Sequence, residues 1–399
     1  MTLKKIISFF AANLVLFAYT GLPAHAEEET SHIFPSALVR DVDVNTNRII
    51  GYLPDWSYEA YKDIDFSSLT HINIAFCNPN ENGTLSCYIP DNEMKKIVSV
   101  AHQNNVEVFA ALGGAGSCEK YLQYIDTSEE MTVFNENIIK YCEKYDLDGI
   151  DLDIELANDH QIWTYYDGWC RALRTLCDKN GMKMSTATAQ WAAEKVSPET
   201  FELFDFINIM AYDNDVDKVS HASYEYAEKC LDYFSSNKKI PNKKLVLGVP
   251  FYGRGYLANG SLDWNSHMSF SEIIDKDLNY YNNDNFNGIA YNGATTIAKK
   301  SNLAKQYGGI MIWELSQDAK GDLSLLKVIK DTFDQNSERV KGDVNADGSF
   351  TVADVVLFQQ WLLTVPDAVL ADWKAADLCE DDRLDVFDLC MMKRMLINN

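Results

Sequence analysis

Eight short apolar runs, each ending in Gly, Pro, Asn or Asp and most followed by a segment of helical period, constrain this chain more than any other feature. They cover residues 49–54, 69–76, 106–112, 148–154, 183–189, 205–211, 244–250 and 308–314. The intervening helical stretches include 91–105, 129–145 and 221–236, and a last one follows at 322–333. A run of near-continuous apolar residues marks a strand buried on both faces, and strands alternating with helices mark parallel βα units. Eight such units predict an α/β fold, a (β/α)8 barrel over residues 48–334. An open doubly wound sheet would need a glycine-rich phosphate loop after its first strand, and GYLPDW (51–56) is not one. The connection at roughly 257–307, rich in Tyr, Asn and Asp, is long enough to wall a cleft.

The remaining segments divide by composition. Lys4 and Lys5 precede an apolar run from Ile6 to Leu22, and Ala24-His25-Ala26 has the small-x-small cleavage pattern of a signal peptide over 1–26. The run is shorter than the ~20 residues of a spanning helix. Residues 27–47 are a polar leader, 335–341 a polar linker, and 342–399 a separate acidic tail. The expected mature protein is secreted, extracellular and free of the membrane. A net charge of −24 argues against nucleic acid or anionic lipid as a partner and suits neutral or cationic material. Nine cysteines show no CxxC metal pattern, and the odd count leaves at least one unpaired. Cys77 and Cys87 flank a Pro-Asn-Glu-Asn-Gly turn; a bridge in an oxidising compartment and a pair of reduced buried thiols are both open.

Within the fourth run, DGIDLDIE (148–155) crowds four acids among Gly, Ile and Leu. Side chains alternate along a strand, so Asp151, Asp153 and Glu155 share one face while Ile150, Leu152 and Ile154 share the other. The apolar set suits the outer helices, and the acids then point into the barrel and climb toward its C-terminal end, where such barrels carry their active sites. Asp148 has the opposite parity and suits a structural turn. Successive acids about 6.6 Å apart cannot all ionise cheaply in a dry site, so at least one is pushed toward the range of a general acid. Glu155, outermost, is the candidate acid. A divalent-metal site would also use three carboxylates, but only His160 lies nearby in sequence. A solvated acidic face would not be interleaved with Ile and Leu.

DGIDLDIE resembles the DxxDxDxE motif of glycoside hydrolase family 18, which contains chitinases and endo-β-N-acetylglucosaminidases. Met210-Ala211-Tyr212-Asp213 resembles that family's MxYD motif, Val249 to Arg254 its PFYGR segment, and Ile312-Trp313-Glu314 its terminal Trp. The resemblance implies retaining hydrolysis of β-1,4 N-acetylglucosamine linkages in which the substrate's own 2-acetamido oxygen is the nucleophile, with no catalytic cofactor. It implies that Glu155 protonates the leaving oxygen, Asp153 orients the acetamido group, Asp151 supports Asp153, and Tyr212 donates to the acetamido carbonyl. Asp213 would contact the −1 sugar and Trp313 would floor it. Tyr252, Arg254, Met210, Tyr52 and Phe76 would line the site. A chitinase is expected first, an endo-β-N-acetylglucosaminidase acting on N-glycans second, and a non-catalytic chitin-binding, lectin-like protein third. Where the family often has SxGG, this chain has Ala111-Leu112-Gly113-Gly114, which removes a hydroxyl next to the acids. The stretch between the seventh and eighth strands is short for the α+β insertion of many members, which predicts a shallow groove.

In the tail, DVNADGSFTVAD (343–354) sets Asp343, Asn345, Asp347, Thr351 and Asp354 at positions 1, 3, 5, 9 and 12 of an EF-hand-like loop, with Ser349 offering its carbonyl at position 7. A second frame, 377–388, has Asp377, Asp381, Arg383 (through its carbonyl), Asp385 and Asp388, with Cys379 in place of an oxygen ligand at position 3. Two calcium-loop–helix repeats resemble a dockerin. That resemblance implies structural Ca2+ and a cohesin domain of a scaffolding protein as partner. Val352-Ala353 and Val386-Phe387 occupy its recognition positions.

Overall fold

The computed structural model describes residues 47–214, 219–334, 340–345, 349–366, 368–379, 381 and 383–398. The predicted signal peptide and nearly all of the predicted leader lie outside these, as does most of the linker. Eight parallel strands close into a barrel: β1 (Arg48–Pro54), β2 (His71–Ala75), β3 (Glu107–Gly113), β4 (Gly149–Asp153), β5 (Lys183–Thr188), β6 (Phe206–Ile209), β7 (Leu245–Pro250) and β8 (Gly309–Trp313). Each pairs with its neighbour in the chain, and β1 closes on β8 through Ile49↔Ile310. All eight predicted strands are present.

Strand parity divides the core in two. Ile49, Leu53, Ile72, Ile74, Ile150 and Leu152 face outward and pack with the surrounding helices. Ile50, Tyr52, Phe109, Ala111, Phe206 and Met311 face inward. At the N-terminal end of the barrel the interior is filled by Phe109 and Phe206, 5.7 Å apart, with the His71 ring against both. The interior is a packed core with a polar layer at the opposite, C-terminal end. Asp148 lies outside it: its carboxylate accepts the Val108 N–H (2.7 Å) and lies 2.9 Å from His102 Nε2, the structural role expected from its parity.

The outer layer includes α1 (Asp91–Gln103), α2 (Ser128–Tyr145), α3 (Trp163–Lys179), α4 (Tyr224–Asp232), α5 (Ala294–Ala304) and α6 (Leu325–Asp334). The helix expected at 221–236 starts three residues late, because Ser223 caps the Tyr226 N–H and His221 and Ala222 are drawn into the barrel mouth. Between β7 and β8 the chain does form a small α+β insertion. Strands Tyr252–Tyr256, Leu262–Ser269, Ile289–Ala290 and Asn285–Phe286 make an antiparallel sheet, with a short helix at Phe270–Lys276.

In the tail, α7 (Val352–Leu362) and α8 (Val386–Asn398) gather around Val344, Val355, Phe358, Ala376, Leu378 and Met392. Among the described residues no helix is long and apolar enough to cross a membrane.

Candidate active site

The end of β4 carries the three acids. Asp151 is fully buried and accepts hydrogen bonds from Tyr52 Oη (2.5 Å), Ser185 Oγ (2.5 Å) and Asn208 Nδ2 (3.1 Å). The register explains the arrangement: Asp151 is flanked by Ala111 on β3 and by Ser185 on β5. The hydroxyl beside Asp151 therefore comes from Ser185 on β5, and Ala111 on β3 offers none. Burial raises the Asp151 pKa, while the three donors favour its ionised form. They also occupy both of its oxygens.

Asp153, one step up, is buried, and its Oδ1 has no hydrogen-bond partner. Burial, then the charges of Glu155 and Asp151, push its pKa well above the usual carboxylate range, which favours its neutral form. Glu155 is half-buried. Burial and the nearby Asp213 carboxylate raise its pKa to about 7, although the Ala115 N–H donates to it. The three acids thus have three environments: Asp151 is fully hydrogen-bonded, Asp153 is buried with an unpartnered oxygen, and Glu155 has its pKa raised to about 7.

Two glycines and a cysteine fix the backbone here. Gly113 and Gly114 have φ of 114° and 81°, and a Cβ at Gly113 would lie 2.0 Å from the Asp153 carbonyl oxygen. At Gly114 it would strike the Phe76 ring. The Cys118 thiol lies 3.4 Å from the carbonyls of Gly114 and Asp153, and its sulfur accepts the Glu155 N–H at 3.3 Å.

Across the mouth, Asp213 adopts the left-handed region (φ 54°) and meets a fork from Arg254, with Nε 3.1 Å from Oδ1 and Nη2 3.2 Å from Oδ2. His221 Nδ1 is 3.1 Å from the same Oδ1. Burial alone would raise the Asp213 pKa, but these partners hold it down at about 2. Arg254 lies between the rings of Tyr252 (5.1 Å) and exposed Trp264 (5.0 Å). Burial and the surrounding carboxylates raise the Tyr212 pKa, so its hydroxyl remains a donor. Trp313 is half-buried, with its ring 5.5 Å from Tyr52 and 5.8 Å from Phe76.

Most of the expected site residues therefore converge: Asp151, Asp153, Glu155, Met210, Tyr212, Asp213, Arg254, Phe76 and Trp313. Tyr52 and Tyr252 lie deeper than the other expected liners, at 1% and 2% exposure. Tyr52 lies against Trp313 and serves Asp151; Tyr252 supports Arg254. Ser185, Asn208, His221, Cys118 and Trp264 did not emerge from the sequence. Only Ser185 had a usable signal, its inward parity on β5 opposite Asp151.

The sequence profile of glycosyl hydrolases family 18 matches residues 48–318. This chain belongs to glycosyl hydrolase family 18. A type I dockerin domain matches residues 341–397. Among solved structures, the family 18 chitinase ChiB from the chitin utilization locus of Flavobacterium johnsoniae is 33% identical, with a TM-score of 0.65 over 72% of this chain and 94% of that one. A chitinase from Bacteroides thetaiotaomicron is 29% identical, with a TM-score of 0.66 over 73% and 98%. Chitinase A1 of Niallia circulans is 24% identical, covering 79% of this chain and 61% of its own length. The chain thus spans less than two thirds of that relative.

The two dockerin loops share one internal arrangement. Asp354 Oδ1 accepts the N–H groups of Val344 and Asn345, and its Oδ2 accepts that of Thr351. Asp388 does the same for Leu378, Cys379 and Asp385. Asp347, expected at position 5 of the first loop, lies outside the described residues.

Proposed function

We propose that this chain is an exported, retaining glycosidase that cleaves β-1,4-linked N-acetylglucosamine, with chitin as its first substrate. The observation that carries the proposal is Glu155: a half-buried carboxyl with a pKa of about 7, beside an Asp153 whose neutral form is favoured and a fully hydrogen-bonded Asp151. A group titrating near the working pH is suited to give its proton to a leaving glycosidic oxygen. As that bond breaks, the acetamido oxygen of the −1 sugar attacks C1 and forms an oxazolinium ion. Asp153 turns toward the acetamido N–H and Asp151 takes up the proton it releases, so that negative charge faces the developing cation. Tyr212 holds the acetamido oxygen, and Trp313 offers its ring to the apolar face of the sugar. Water activated by Glu155, now a base, opens the oxazolinium with retention.

Supplying chitin oligosaccharides and an N-glycosylated protein side by side tests the substrate. Cleavage of the oligosaccharides supports the proposal. Cleavage of the glycoprotein alone would move the enzyme to N-glycan hydrolysis, and binding without turnover would make it a lectin.

Ser185 gives a sharper test of the mechanism. Ser185→Ala removes one donor to a buried charged acid and lowers kcat by about ten- to a hundredfold. Because Ala111 flanks Asp151 from the other side, Ala111→Ser in the same chain restores most of that loss. No recovery in the double variant would show that the hydroxyl serves something other than Asp151.

The dockerin is proposed to fold around Ca2+ and to bind a cohesin domain. In the first loop Asp343, Asn345, Asp347, Thr351, Asp354 and the Ser349 carbonyl offer a hard, oxygen-only donor set suited to the ion. In the second, Asp377, Asp381, Asp385, Asp388 and the Arg383 carbonyl would hold it, with the sulfur of Cys379 at position 3 a poor ligand. Chelation with EDTA is expected to abolish cohesin binding, and Asp343→Ala to weaken it more than Asp377→Ala does. Both are read by native gel shift with and without calcium. Cohesin binding unchanged in EDTA would contradict the calcium assignment.

A further inference from the structure

The chain between β2 and α1 holds a pair of thiols that the proposed chemistry does not use. Cys77 directly precedes the strand Asn78–Pro79, and Cys87 directly follows its antiparallel partner Leu85–Ser86. Their register pairs Asn78 with Ser86 and Pro79 with Leu85, so Cys77 and Cys87 form the next rung. The Asn80 N–H donates to the Thr84 carbonyl, and by alternation the rung of the two cysteines is a narrow, non-hydrogen-bonded one. Such rungs bring Cα atoms to about 4.5 Å, within the range a disulfide spans. The Tyr141 hydroxyl on α2 lies 3.3 Å from Cys87 Sγ. Cys77 is fully buried, whereas Cys87 is half-buried and so the more accessible of the two.

We propose that Cys77 and Cys87 form a disulfide when the protein meets an oxidising disulfide such as oxidised glutathione. The Cys87 thiolate attacks one sulfur of the reagent and releases one thiol. Cys77, losing its proton, then displaces the second thiol from the mixed disulfide. Two protein thiols become one bridge, and the reagent takes up two electrons and two protons. The Cys87 thiol is the more acidic of the pair, at about 7, which suits it to the first attack.

The bridge lies where three loops of the cleft rim meet. Phe76, next to Cys77, packs near Trp313 and over Gly114. Asn78 exchanges two hydrogen bonds with Gly113, both 3.0 Å. The Tyr88 N–H, next to Cys87, donates to Asp55 at the end of β1 (2.8 Å). Oxidation would therefore fasten the connections after β1, β2 and β3 to one another without touching an acid of the site.

The test uses the full chain, treated with oxidised glutathione, alkylated under denaturing non-reducing conditions and digested with trypsin. The fragment 63–95, between Lys62 and Lys95, contains Cys77 and Cys87 and no other cysteine. The expected fragment is unalkylated and about 2 Da lighter than the reduced one. A fragment with two alkylated thiols, or with glutathione on Cys87 and an alkylated Cys77, overturns the proposal. The melting temperature of the oxidised protein should fall by several degrees on adding reductant, while Cys87→Ser shows no such response. An equal response in both would place the redox effect elsewhere and also overturn it.

Discussion

Glu155→Gln should lower kcat on chitin oligosaccharides by about a hundred- to ten-thousandfold, with little change in melting temperature or substrate affinity. The substitution keeps the size and hydrogen-bonding capacity of the side chain and removes only its transferable proton. In the wild type the acid is competent while protonated. With a pKa of about 7, its rate should be sustained below that pH and decline as pH rises through it. The variant, having no such group, loses this decline along with the rate. Full activity in Glu155→Gln would remove Glu155 from the mechanism whatever the substrate.

Asp153→Asn and Asp213→Asn should both depress hydrolysis, but only Asp213→Asn should move the pH profile. Burial and the neighbouring acids favour the neutral form of Asp153, so an amide in its place should leave the field at Glu155 nearly unchanged. The expected result is a kcat lowered by about a hundredfold or more with the alkaline decline still near pH 7, because Asn cannot become the anion that faces the oxazolinium. Asp213 differs: it is ionised, with a pKa of about 2, and its charge helps to raise that of Glu155. Asp213→Asn removes that repulsion and shifts the alkaline decline to lower pH. It also unpairs Arg254, so KM rises. If Asp153→Asn moved the decline as far as Asp213→Asn does, Asp153 would be ionised in the free enzyme and the assignment of charges along β4 would be wrong.

The barrel was legible because its signals are local. Alternation within DGIDLDIE placed Ile150, Leu152 and Ile154 outside and the acids inside from eight residues alone, and each strand announced itself by its own apolar run. What supports the acids was not legible, because it is set by register between distant segments. Asn208 reaches Asp151 from two strands away around the barrel, across 57 positions of sequence. His221 reaches Asp213 only because the chain delays the start of α4. The aromatics show the same limit. Tyr52 lies within β1 and Trp313 ends β8, their rings 5.5 Å apart with Tyr52 the more buried, and the depth of a side chain in a barrel layer is a property of all eight strands.

The central claim, that Glu155 and the substrate's own acetamido group together effect retaining hydrolysis, is tested most directly by proton NMR of the first product. Chitin tetrasaccharide would be mixed with the wild-type enzyme and the new reducing end followed from the first seconds, before mutarotation. The β-anomer should appear first. Initial release of the α-anomer would contradict the account, because it would require direct attack by water on the opposite face of the sugar.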